Sequence, residues 1–173
     1  MTRVKVLVLA GLVGGGLIVA SGVANAEDIS GVIVRTLMLS ETSRLVGDVT
    51  CQVTGAPCIA FGAPNIALNL NGFTITGPND PATGCRAANV GTETGISSNG
   101  QNNVGVRGPG VVQRFQGDGI LFAGTTTVGW VQGVTITTNC LSGIRTGLLA
   151  SRISLESNVS VRNGTAAAAC GGI

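Results

Sequence analysis

Between Gly119 and Ile144 the chain reads GILFAGTTTVGWVQGVTITTNCLSGI, and the Gly-Ile pair that opens this stretch also closes it. The same pair stands an equal distance upstream, at Gly95-Ile96. Inside the interval, Ile120–Phe122, Val128–Trp130 and Val134–Thr137 are short apolar or alternating segments, separated by Gly, Thr and Gln. Each is too short for a helix and patterned for a strand. A repeat this short, made only of strands and turns, predicts the coil of a parallel β-solenoid, in which each rung covers the apolar row of the one before. The bias of parallel crossovers toward one hand makes the expected coil right-handed. The predicted fold is therefore all-β: a right-handed parallel β-helix with rungs of about 24 residues.

Neighbouring intervals follow the same plan. Upstream come Gly95-Ile96-Ser97, Val104-Gly105-Val106 and Gly110-Val111-Val112; downstream come Gly143-Ile144, Ile153-Ser154-Leu155 and Val159-Ser160-Val161. An earlier rung starts at Cys58-Ile59-Ala60-Phe61 and continues through Asn65–Leu70 and Asn71–Gly77. Like positions should stack about 4.8 Å apart. The expected inward columns are Ile96, Ile120 and Ile144; Ile66, Val104, Val128 and Ile153; and Phe73, Val134 and Val159. Near Gly110 the register is ambiguous: counting forward buries Gln113, counting back from Gly119 buries Val112, and a bulge at Pro109-Gly110 would reconcile them. Asn139 and Asn163 occupy like turns and suit an asparagine ladder. The interval from Ile59 to Ile96 is longer than a rung, and the surplus falls in residues 78–94, expected as an inserted loop. Residues 27–50 are read as an N-terminal cap with one or two strands, and residues 51–173 as the rungs. Cys170-Gly171-Gly172-Ile173 resembles the opening of a further rung, so the coil is expected to be truncated at its C-terminus or to rely on a partner.

Residues 1–26 read as a signal peptide: Arg3 and Lys5, an apolar run from Val6, and the small-residue site Ala24-Asn25-Ala26. The expected location is secreted, periplasmic or cell-surface. Beyond Ala26 the chain carries eight Arg and eight acids, no Lys, and neither His nor Tyr. A neutral chain without a basic tract has no electrostatic footprint for nucleic acid, and no second apolar run to hold a membrane once the signal is cleaved. The five cysteines then read as disulfides rather than metal ligands, because His is absent and no Cys pair is spaced for zinc. Cys140 and Cys170 precede the Gly of successive rungs at nearly the same position, which predicts one bridge. Cys51 and Cys58 flank a Gly-Ala-Pro turn and predict another, leaving Cys85 unpaired.

The segments Cys58–Phe61, Asn65–Gly77 and Gly108-Pro109-Gly110-Val111-Val112 resemble the right-handed parallel β-helix repeat proteins of the pectate-lyase-like superfamily. That resemblance implies an extracellular protein acting on or binding polysaccharide, or serving as surface structure. Family lyases gather acidic ligands for calcium beside a cationic base, hydrolases cluster three Asp on adjacent rungs, and epimerases use a motif with Asp and His. Here the acids in the repeated rungs are isolated and His is missing. Fold does not carry chemistry with it.

The best available constellation is Asp118, Arg114, Arg107 and Glu156. Arg107 and Glu156 share an outward column two rungs apart, and Arg114 is placed to pair with Asp118. A solvated face with a surface ion pair is the plainer reading of these four. Trp130 could stack on a sugar ring, but counted from Val128 it falls on the inward side and is expected in the core. The expected function is an exported non-catalytic β-helix, structural or glycan-binding, without cofactor or metal and with extracellular polysaccharide as partner. The alternative is a polysaccharide lyase, hydrolase or epimerase whose catalytic rungs lie outside this sequence, with calcium as its cofactor.

Overall fold

The computed structural model describes residues 27–79, Cys85 and residues 92–164. Residues 1–26, read above as a signal, and Cys170 lie outside the described residues. Within them the chain forms strands and turns and no helix, and every strand pairing is parallel. β-branched residues interleaved with Asn, Gly and Thr favour this outcome, because they pack well on pleated surfaces and lose more freedom in a helix.

One file of five strands comprises β2 (Leu37–Leu39), β4 (Ile59–Phe61), β7 (Ile96–Ser97), β10 (Ile120–Phe122) and β13 (Ile144–Thr146). A second file comprises β5 (Ala67–Asn69), β8 (Val104–Arg107), β11 (Gly129–Gln132) and β14 (Ile153–Glu156). A third comprises β6 (Thr74–Thr76), β9 (Val111–Gln113), β12 (Thr135–Thr137) and β15 (Val159–Val161). The second and third files are joined by one long strand, β3 (Ser43–Cys51). Its Ser43 end pairs with β5 and its Val49 end with β6, and β1 (Glu27–Ile33) pairs along its other edge. Curled parallel sheets of this kind are compatible with a solenoid.

The sequence pattern places one or two cap strands at Val32–Val34 and Leu37–Leu39 and none over residues 43–50. The structure instead builds the latter into β3, with Ser43, Leu45, Val49 and Cys51 turned inward. The signal is the alternation of Leu45, Gly47, Val49 and Cys51, which Gly47 obscures by contributing no side chain. Arg44 donates to Asp28 at 2.7 Å and ties β1 to β3. That hydrogen bond holds the Asp28 carboxyl below its ordinary value.

The core is a stack of aliphatic rows. Ile59, Ile96, Ile120 and Ile144 form one continuous buried row in register. Leu68, Val106 and Val131 form the next, ending on partly buried Leu155. Val49, Ile75, Val112 and Ile136 form the third, ending on Ser160. Two of these rows differ from the expected columns. Val104 pairs with Gly129, not Val128, because the stretch from Ile120 to Gly129 is one residue longer than the register-matched stretch from Ile96 to Val104. In the third file Val134 is buried as expected and the ambiguity near Gly110 resolves with Val112 inward and Gln113 facing out beside Thr76, but Val159, expected inward, is exposed together with Val161. A slip of one residue exchanges the two faces of a strand, so each of these differences inverts a whole segment.

The corners repeat as faithfully as the strands. Arg114, Thr138 and Arg162 all adopt positive φ, between 54° and 61°, at the same corner of successive repeats. The following residues are Phe115, Asn139 and Asn163. The Asn139 side chain accepts from the Phe115 N–H at 3.0 Å and donates to Asn163 Oδ1 at 3.0 Å, while Asn163 Oδ1 also accepts the Asn139 N–H. This is an asparagine ladder, and it satisfies backbone groups that the corner would otherwise bury unpaired. Asn158 and Asn163, each heading an Asn-x-Ser/Thr triplet, spend their amides on the carbonyls of Val131 and Ile136.

Cys51 and Cys58 are bridged, with their Cα atoms 6.0 Å apart. Cys140 is bridged not to Cys170 but to Cys85, the cysteine expected to remain unpaired; the Cα separation is 5.5 Å. The repeat spacing that favours Cys170 is real, but Cys85 lies at the corner beside Cys140. There Asn79 Nδ2 lies 3.0 Å from the Cys140 sulfur, and Asn79 Oδ1 accepts from Gln116.

Candidate functional site: an outward groove at Trp130

The outer face of the second file carries two parallel rows of side chains. Ala67, Gly105, Trp130 and Ser154 are paired across successive strands, and so are Asn69, Arg107, Gln132 and Glu156. Together with the backbone of Val131, five of these residues (Arg107, Trp130, Gln132, Ser154 and Glu156) line an open groove of about 210 Å³. Charged, amide, hydroxyl and aromatic groups of successive repeats converge in it.

Trp130 lies on the opposite side of its strand from the one expected. Its placement in the core follows from setting Val128 inside. With Gly129 and Val131 inward instead, Trp130 stands on the outer face and is half-buried. It can lie close to the sheet because its partner on the preceding strand is Gly105: a Cβ there would meet the indole ring atoms. The guanidinium of Arg107 stands 5.4 Å from the ring centroid, near the outer limit of a cation–π contact. Among the described residues no group accepts a hydrogen bond from that guanidinium.

At the other end of the groove Glu156 is held by two neighbours. Ser154 Oγ donates to its Oε1 at 3.0 Å, and Gln132 Nε2 approaches its Oε2 at 3.4 Å. Its nearest charged row-mate is Arg107, two strands away, or roughly 10 Å. Arg107 and Glu156 are thus aligned in one outward row with the neutral amide of Gln132 between them.

The other two candidate residues lie elsewhere. Asp118 sits at the corner before β10 with no exposed surface; its Oδ2 accepts from Arg145 Nε at 2.7 Å and its Oδ1 from the Ser142 N–H at 3.1 Å. The expected Arg114 pair is replaced by this one, because the left-handed corner at Arg114 turns its side chain into solvent. The constellation therefore divides: Arg107 and Glu156 belong to the groove, while Asp118 and Arg114 belong to the corners of the third file.

Chemically the groove offers an aromatic platform, five N–H donors on Arg107, one fixed carboxylate and two small polar groups. Among the described residues no cluster of three or more His, Cys, Asp or Glu could hold a metal ion. One carboxylate does not make the pair that glycoside hydrolysis sets across a bond. In comparisons with known proteins, no family model, no curated protein and no solved structure matches the chain.

Proposed function

We propose that this chain is an exported, non-catalytic right-handed parallel β-helix of the pectate-lyase-like kind that binds extracellular glycan along the Trp130 groove. One observation carries the reading: a half-buried indole laid over a glycine on the outer face, with a guanidinium over its ring and a carboxylate in the same groove. An apolar ring face flanked by fixed donors and acceptors matches a pyranose, which presents a C–H face and a rim of hydroxyls. Arg107 could also meet a sugar carboxylate. The all-parallel stacking at a nearly constant interval supports the β-helix, and the hand follows from the crossover bias. Two disulfides are consistent with an oxidising compartment outside the cytosol.

The test uses Trp130 itself. It is the single Trp, and the chain has no Tyr, so intrinsic emission reports the groove alone. Soluble cello-, xylo- and galacturonate oligosaccharides should quench or shift that emission saturably, and Trp130→Ala should lose retention on the matching insoluble polysaccharide while remaining folded. Retention unchanged in Trp130→Ala would refute binding at this groove. Accumulation of reducing ends or unsaturated products during the same incubations would refute the non-catalytic reading.

A further inference from the structure

We infer that the groove is built for a dipolar stretch of glycan, one sugar carrying a carboxylate and its neighbour a protonated amine. The inference rests on the glycan-binding reading and narrows it.

Three features point this way. Among the described residues, Arg107 and Glu156 are the only charged ones lining the groove, they are of opposite sign, and they lie in one row two strands apart. Neither is neutralised: the ion pairs among the described residues are Arg44 with Asp28 and Arg145 with Asp118. At roughly 10 Å, about one Debye length in physiological salt, the two attract each other weakly. The Glu156 carboxylate is also pre-set by Ser154 and Gln132, so holding a cation there costs little further ordering. Between the two charges lie Trp130 and Gln132, an apolar platform and a neutral amide on which the linking part of a disaccharide would rest.

The arrangement discriminates by repulsion as well as attraction. A glycan with carboxylates alone brings one of them against Glu156. A glycan with amines alone brings one against Arg107. Only an alternation of the two signs satisfies both ends. Beyond Ala26 the chain's formal charge is zero, so no long-range field favours polyanion or polycation, and selection falls to these two residues.

The experiment titrates the chain from Glu27 onward, in mildly acidic buffer that keeps the sugar amine protonated, and follows Trp130 emission. The probes are four oligosaccharides of equal length: alternating glucuronate and glucosamine with free amines, the same oligomer fully N-acetylated, a chitosan oligomer, and a cello-oligosaccharide. The free-amine alternating oligomer should bind tightest, and N-acetylation should weaken it about tenfold, the loss of one charge-assisted contact. Glu156→Gln should abolish that difference while still binding, and Arg107→Gln should erase the advantage over chitosan. Equal affinity for the free-amine and N-acetylated oligomers would overturn the dipolar reading and leave glycan binding intact. If none of the four probes alters the emission, both readings fall.

Discussion

The Arg107 guanidinium and the Trp130 indole face each other at 5.4 Å across adjacent strands, and the indole reaches that position by lying over Gly105. Three residues of two strands therefore set the shape of the groove: one stacks, one is the platform, and one is required to have no side chain. Replacing Arg107 or Gly105 should move the tryptophan emission in a predictable direction.

Arg107→Ala should expose more of the indole to water and shift its emission to the red, with a loss of stability of about 0.5–1 kcal/mol, the range for an exposed cation–π pair. Gly105→Ala should act more strongly on the emission, because a Cβ at that site collides with the ring and lifts it from the sheet. Emission spectra and thermal melts of the two variants check this. An unchanged spectrum in Gly105→Ala would mean that the indole does not rest there.

Asn139 is fully buried and serves three groups: the Phe115 N–H, the Val112 carbonyl and the Asn163 side chain. Asn139→Ala removes all three contacts without removing the groups, and a buried polar group left unpaired costs about 1–3 kcal/mol. The expected loss in urea unfolding is at the upper end of that range or beyond. Asn163→Ala, on the more exposed repeat, should cost less. Asn139→Asp should cost at least as much as Asn139→Ala, since it keeps the acceptor for Phe115 but buries a carboxylate against the Val112 carbonyl and Asn163 Oδ1.

Much of the architecture is legible in the even recurrence of Gly-Ile, because the stacking of Ile96, Ile120 and Ile144 needs only a constant interval. The groove is harder to read. Its location depends on which side of β11 faces out, and the stretch from Ile120 to Gly129 is one residue longer than its register-matched counterpart from Ile96 to Val104. Val128 then attracts the alignment that belongs to Gly129, and Trp130 is assigned to the wrong face. A period of two gives no internal warning of such a slip. The Arg107 and Glu156 row is legible because both ends are counted from strands whose register is sound. The third file misleads differently, since a Ser at position 160 occupies the inward site and two valines flank it outside.

The Cys85–Cys140 bridge closes a loop across 55 positions and ties Cys85 to the corner after β12. On the chain-entropy model such a loop contributes about 4 kcal/mol, against about 2.4 kcal/mol for the short Cys51–Cys58 loop. Cys85→Ser should therefore lower stability more than Cys58→Ser under oxidising conditions. Non-reducing peptide mapping should recover Cys85 linked to Cys140. A Cys140–Cys170 peptide in its place would show that the repeat spacing, not the inserted segment, governs the pairing.

Asp118 looks like a catalytic acid in sequence and sits in the structure as a buried tie between corners. Its carboxylate accepts from Arg145 and from the Ser142 N–H, and the Arg145 side chain is 47% exposed. Breaking a buried pair can cost about 3–5 kcal/mol, but Arg145 can turn to water, so for Asp118→Ala we expect about 1–3 kcal/mol, mostly from the burial of a backbone donor that has lost its acceptor. Asp118→Asn should lose less, since the amide oxygen can still accept from Ser142. Neither variant should change the emission of Trp130 or its response to oligosaccharide, because Asp118 lies outside the groove. Chemical denaturation and fluorescence titration of the same two samples separate the possibilities. A variant as stable as the parent but altered in its response to glycan would place Asp118 in the binding surface and undo its assignment as a structural residue.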